Sequence, residues 1–183
     1  MRFLKDETPA EYSLEYPQSP DPFTSVTIQQ AVWLFPICVA GHFLEEATGF
    51  ARWAGRNISS RYTASHWRRV HGMGMLFAIA AAVSVARWMH PLTVFLFTAG
   101  FLTPMVFNAL FHTAASMYFR SYSPGTVSAL VLFPVLCWYL ASRFSDAGLL
   151  DARSAITATV IGATFHGLDL ASTTFFLQRI PRS

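Results

Sequence analysis

Ile28 to Phe50 reads IQQAVWLFPICVAGHFLEEATGF, an apolar run long enough to cross a bilayer that nevertheless holds His42, Glu45 and Glu46. An ionisable side chain at that depth costs roughly 2.5–3.5 kcal/mol on insertion scales, so such a cluster needs a purpose. On a helix, Glu45 and Glu46 lie i+3 and i+4 from His42. All three share one face and can converge on one metal ion or one proton path.

Composition agrees with the setting. Apolar residues make up 53% of the 183-residue chain and charged residues only 13%, against roughly a quarter charged in soluble domains. The expected fold class is all-α, a polytopic membrane helix bundle of about five spans. The candidate spans are Ile28 to Phe50, Val70 to Met89, Leu92 to Phe119, Thr126 to Phe144 and Ala155 to Leu177. Pro36, Pro104 and Pro134 interrupt them in ways that membrane helices tolerate, and Pro104 predicts a kink in the third. Residues 1–27 form a polar, acidic tail without the apolar core of a signal peptide, and residues 28–180 form one bundle.

The net charge of +3 is carried almost entirely by arginine. It gives nucleic acid no role as partner and suits a membrane surface. Arg52, Arg56, Arg61, Arg68, Arg69, Arg120, Arg179 and Arg182 fall on one side of five spans. The other side has Lys5 and Arg2, Arg87, Arg143 and Arg153. The positive-inside rule then places the protein in the cell inner membrane with its N-terminus outside and its C-terminus cytoplasmic. Cys38 and Cys137 share no metal-type spacing and read as free buried thiols.

Two further helices repeat the paired-polar pattern. Asn108 and His112 are i,i+4 in the third span, while His166 and Asp169 are i,i+3 in the fifth. The first, third and fifth spans run in the same direction and bring these residues to comparable depth, which predicts one shared site. Taken singly, each has a plainer reading: a buried histidine as a hydrogen-bonding core residue, Asn108 as an interhelical hydrogen bond, Asp169 as an arginine partner. The cluster as a whole favours function, because buried carboxylates without partners are expensive. His71 reads as a span-end residue, His66-Trp67-Arg68-Arg69 as a membrane-surface collar, and the other tryptophans mostly as interfacial anchors.

His42, Glu45 and Glu46, then Asn108 with His112, then the turn Tyr122-Ser123-Pro124-Gly125, resemble the marks of the HXXEE-domain family of small bacterial membrane proteins. The resemblance covers about Ile28 to Leu177, with His166 as a further mark. It implies the architecture and a shared site, and it brings no reaction with it.

The reaction class therefore has to come from the donor set. Histidines with carboxylates suit zinc, iron or manganese, as in carboxylate-rich helical bundles. The leading expectation is a metal-dependent membrane hydrolase of a lipid or other apolar substrate. In it His42, His112 and His166 are ligands with Glu45 or Asp169, Glu46 is the general base, and Glu45 and Asn108 also serve the chemistry. The alternatives are a metal-free acid–base isomerase or cyclase and a non-catalytic small-molecule carrier. A glutamate-dependent intramembrane protease of the CAAX-processing type fits less well. Phe50, Asn108 and Leu170 stand where that pattern wants arginine, phenylalanine and Asn or Asp. Metal identity, substrate and oligomeric state are left open by the sequence.

Overall fold

The computed structural model describes residues 26–179, with side chains through residue 172. The tail assigned to 1–27 lies almost wholly outside the described residues, as does Arg182. In the described residues the chain is all helical. It runs α1 (Ile28–Ala31), α2 (Leu34–Ala47), α3 (Phe50–Asn57), α4 (Ala64–Arg87), α5 (Pro91–Phe97), a π turn (Thr98–Leu102), α6 (Thr103–Tyr118), α7 (Thr126–Asp146) and α8 (Ala152–Arg179).

The first expected span is divided. Thr27 and Gln30 form a capping box that starts α1. Pro36 cannot tolerate the carbonyl of Val32 in a continuous helix, so the chain restarts and Pro36 sits in the first turn of α2. The segment Arg52 to Arg69, read from sequence as a connection, contains a short helix and the start of another. In α3 the residues Phe50, Trp53 and Ala54 are buried, while Arg52 and Arg56 stay exposed. The Thr63 hydroxyl accepts from the His66 N–H at 3.2 Å. That cap starts α4 well before Val70 and puts Trp67 and His71 on a helix.

The third span carries its kink as a π turn. Pro104 has no N–H to offer the preceding turn, and the widened turn immediately before it absorbs the mismatch. Here α8 makes a close approach. A Cβ on Gly162 would lie 2.6 Å from the Ala99 carbonyl oxygen and 2.6 Å from Thr103 Cβ, so only glycine lets the two backbones meet.

Among the described residues, α4, the α5–α6 unit and α7 are long and apolar enough to cross a membrane. Leu76, Phe77, Leu96, Val131, Val135 and Trp138 lie exposed on their outer faces, as lipid-facing positions do. One buried cluster joins α2, α4, α5 and α7 through Phe35, Val85, Val94, Phe97, Phe133 and Leu140. A smaller one joins Phe50, Trp53, Ala54 and Ala115. The polar residues of interest sit between the two. The His42 ring lies 4.9 Å from Phe133 and the His112 ring 5.3 Å from Phe50.

Candidate functional site

Glu46 is the hub. Its Oε1 lies 3.4 Å from His42 Nε2, one helical turn earlier on α2, and 3.0 Å from His112 Nε2 on α6. Its Oε2 accepts from the Trp67 indole N–H at 3.1 Å and is paired with His71 Nε2, both from α4. His42, Glu46 and His112 are 1%, 3% and 1% exposed, so water supplies little of the charge compensation here. One potential ligand atom from each of these three residues lies within 4.8 Å of the other two. The Asn108 amide, one turn before His112, lies 3.0 Å from His42 Nε2.

Hydroxyls on the far side of each imidazole set its orientation. His42 Nδ1 is 3.0 Å from Ser128 Oγ, and His112 Nδ1 is 3.0 Å from Ser123 Oγ. Ser128 Oγ already donates to the Gly125 carbonyl at 3.2 Å, so toward His42 it accepts, and Nδ1 carries the hydrogen. A neutral His42 therefore turns the Nε2 lone pair toward Glu46 and Asn108. An imidazole whose one N–H is tethered leaves its other nitrogen free to bind a metal, the usual construction of a histidine ligand. His71 is fixed in the same manner: Nδ1 lies 2.9 Å from the Trp67 carbonyl, which can only accept.

Gly125 closes the site from the α7 side. Its φ of 105° is left-handed. A Cβ there would stand 2.8 Å from Glu46 Cγ, His42 Cε1 and His112 Cε1. Both the backbone angle and the space require glycine.

Glu45 points elsewhere. Its Oε2 accepts from the Ser128 N–H at 2.7 Å, and its Oε1 accepts from Gly125 N–H at 3.1 Å and Val127 N–H at 3.3 Å. The Tyr122 hydroxyl donates to the same Oε1. Glu45 thus caps the N-terminus of α7 from a different helix, where a carboxylate complements the unsatisfied amides and the helix dipole. Partial burial, and then the hydrogen bond to Glu45, push the Tyr122 phenol above its ordinary range.

The structure brings His42, Glu46, His112 and Asn108 together and leaves the other three expected site residues outside that group. Glu45 is on α7's amides. His166 is half-buried on α8, with its buried Nε2 lacking a hydrogen-bond partner. Asp169 is exposed. Tyr62, in the connection before α4, feels both: burial, then the charges of Glu46 and Asp169, push its phenol well above the ordinary range.

Sequence reasoning passed over Trp67, His71 and Ser128. The available signal was the i,i+4 spacing of Trp67 and His71, which on a helix aims an indole N–H and an imidazole the same way.

No curated protein and no solved structure matches the chain. The family described as "protein of unknown function with HXXEE motif" matches residues 33–139. Among the described residues, that span contains all the hydrogen-bond and ion-pair partners of Glu46 and Glu45, and it stops before α8, so His166 and Asp169 fall outside it. His42-Phe43-Leu44-Glu45-Glu46 is the motif itself, and the chain belongs to the HXXEE family.

Proposed function

We propose that His42, Glu46 and His112 hold one divalent cation, of the zinc, iron or manganese class, and that the protein is a membrane hydrolase of a lipid or other apolar substrate. The observation that carries this reading is the buried, convergent donor set. Donors of a tetrahedral ion with bonds of about 2.0–2.1 Å stand about 3.3 Å apart. The spacings from Glu46 Oε1 to the two imidazoles are 3.4 and 3.0 Å. The Nδ1 tethers to Ser128 and Ser123 also support it.

Bound there, a divalent cation would supply Lewis-acid activation of a carbonyl or of water. The protein's own groups have separable tasks. Glu46 offers Oε1 as ligand while Trp67 and His71 hold its Oε2, so in this reading it is a ligand and not a free base. His71, on the outer oxygen, is the group positioned to exchange a proton with Glu46. The flanking Arg52, Arg56, Arg61, Arg68, Arg69 and Arg120 support a cytoplasmic face for this end of the bundle, in a cell inner membrane. Cysteine labelling at Ser60 from the periplasmic side alone would reverse that orientation.

Metal analysis of detergent-purified protein tests the centre. We expect about one ion per chain in the parent. His42→Ala and His112→Ala, folded by circular dichroism, should retain less than a tenth of it, since loss of an outer-shell partner alone typically costs about 10–100-fold in affinity. Loaded protein should cleave p-nitrophenyl acyl esters in mixed micelles, and the alanine variants should not. Folded parent that takes up no zinc, iron or manganese ends the reading.

A metal-free acid–base site is the second reading, favoured by the direct His71–Glu46 pair. It predicts full activity on an apolar isomerase or cyclase substrate after exhaustive chelation, with Glu46→Gln inactive.

A further inference from the structure

We infer that Asn108 is the fourth donor of the proposed cation site, through its side-chain carbonyl oxygen. The inference rests on the metal reading and concerns a residue outside the three-membered donor set. Three observations meet at this residue.

The first is distance. The terminal atom of the Asn108 amide is 3.0 Å from His42 Nε2. That matches the 3.0 Å between His112 Nε2 and Glu46 Oε1, and it is close to the roughly 3.3 Å between donors on one tetrahedral ion. The second is direction. Asn108 and His112 are i,i+4 on α6, so the amide and the imidazole leave the same face one turn apart and enter the cluster side by side.

The third is hydrogen accounting. The Ser128 tether leaves a lone pair on Nε2 of neutral His42. With protein atoms alone, that lone pair is satisfied by an N–H of the Asn108 amide. A cation at Nε2 takes the same lone pair and repels the amide's hydrogens. Rotation of the amide by half a turn exchanges NH2 for the carbonyl oxygen at nearly the same position, because the two ends of an asparagine are almost isosteric. The oxygen then presents a lone pair to the cation. Among the described residues the Asn108 amide makes no other hydrogen bond that would hold it in either sense. The resulting set has two imidazole nitrogens, one carboxylate oxygen and one amide oxygen.

The test uses the full-length protein in detergent, with zinc chloride as the probe and competition against a chromophoric chelator as the readout. Asn108→Asp keeps the shape, replaces the amide oxygen with an anionic one and has no hydrogen to give to Nε2. We expect it to bind zinc about tenfold tighter, or more, than the parent, and to gain more thermal stability from zinc, as binding linkage requires. Asn108→Leu keeps the volume without a donor and suits an apolar bundle. It should bind at least about 10–100-fold more weakly, the scale already typical for loss of an outer-shell partner.

Zinc affinity unchanged in both variants would overturn the inference. So would a weaker Asn108→Asp, which would mean that the amide acts by giving hydrogens. Either result, with the parent still binding zinc, leaves the three-residue site standing. A folded parent that binds no zinc, iron or manganese overturns both.

Discussion

The N-terminus of α7 and the ring cluster beside it each receive one glutamate from the same motif, and they treat it differently. Glu45 lies among backbone amides, where one carboxylate answers three N–H groups and a tyrosine hydroxyl. Glu46 lies among side chains, touched by three imidazoles and an indole. Backbone N–H groups are fixed in place and keep their protons near neutral pH, so they can only donate. Imidazoles can turn away, exchange a proton or bind a metal. The first environment joins two helices, and the second is suited to chemistry. The difference follows from one residue of helical phase: Glu46 projects nearly over His42, whereas Glu45 is turned by about 100° toward α7.

Gly125 belongs to both regions and gives the largest expected effect. Its N–H bonds Glu45, while a side chain added to it would meet Glu46, His42 and His112. Gly125→Ala adds a methyl 2.8 Å from all three site side chains on a left-handed backbone. We expect a loss of about 3 kcal/mol or more of stability, summing strain and overpacking. Uptake of zinc should fall with it. A variant that melts like the parent and still loads zinc would show that the two regions are not mechanically joined.

Exchanging each glutamate for glutamine separates the regions directly. Glu46→Gln removes the anionic donor and the partner of His71, so zinc uptake should be abolished. Glu45→Gln keeps an acceptor oxygen for the α7 amides and loses the charge. We expect a cost of about 0.5–1 kcal/mol, the scale of a charge at a helix terminus. Zinc stoichiometry should stay unchanged in that variant. Equal loss of zinc in both would return Glu45 to the ligand set and remove the difference between the two carboxylates.

Much of the site was legible because its signals are local. His42 with Glu46, and Asn108 with His112, each stand at i,i+4 in an apolar run, and helical periodicity alone puts each pair on one face. The membrane bundle was legible from apolar length in the same way. Assigning the carboxylates needed more, because i+3 and i+4 both pass as one face and only the position of α7 decides which of them meets a backbone. His71 and Trp67 were masked by arginines, which made a helix start resemble a surface collar until the Thr63 cap placed it. His166 lies outside the group that touches Glu46, with its buried Nε2 lacking a hydrogen-bond partner among the described residues. Sequence depth does not fix the rotation of α8, whose close approach is made where Gly162 meets the π turn. No sequence period reports that contact.

Asp151 supplies the smallest effect and the sharpest control for the Glu45 cap. It too is a carboxylate at a helix N-terminus, accepting from the Ser154 N–H at 2.6 Å. Asp151, however, caps its own helix from exposed sequence, whereas Glu45 reaches across from α2. The backbone and side-chain hydrogen bonds of Ser154 hold the Asp151 carboxyl below its ordinary range. A carboxyl depressed in the folded state stabilises above its unfolded pKa, near 3.9, and loses that contribution as pH falls through the folded value. Melting of the parent and of Asp151→Ala should therefore differ slightly at pH 7, and the gap should begin to close only below about pH 4 and vanish as pH falls through the lower folded value. Zinc uptake should be the same in both. A gap that stays constant with pH would mean that Asp151 acts through shape alone. Charge complementarity at the α7 terminus would then need its own demonstration by the Glu45→Gln comparison.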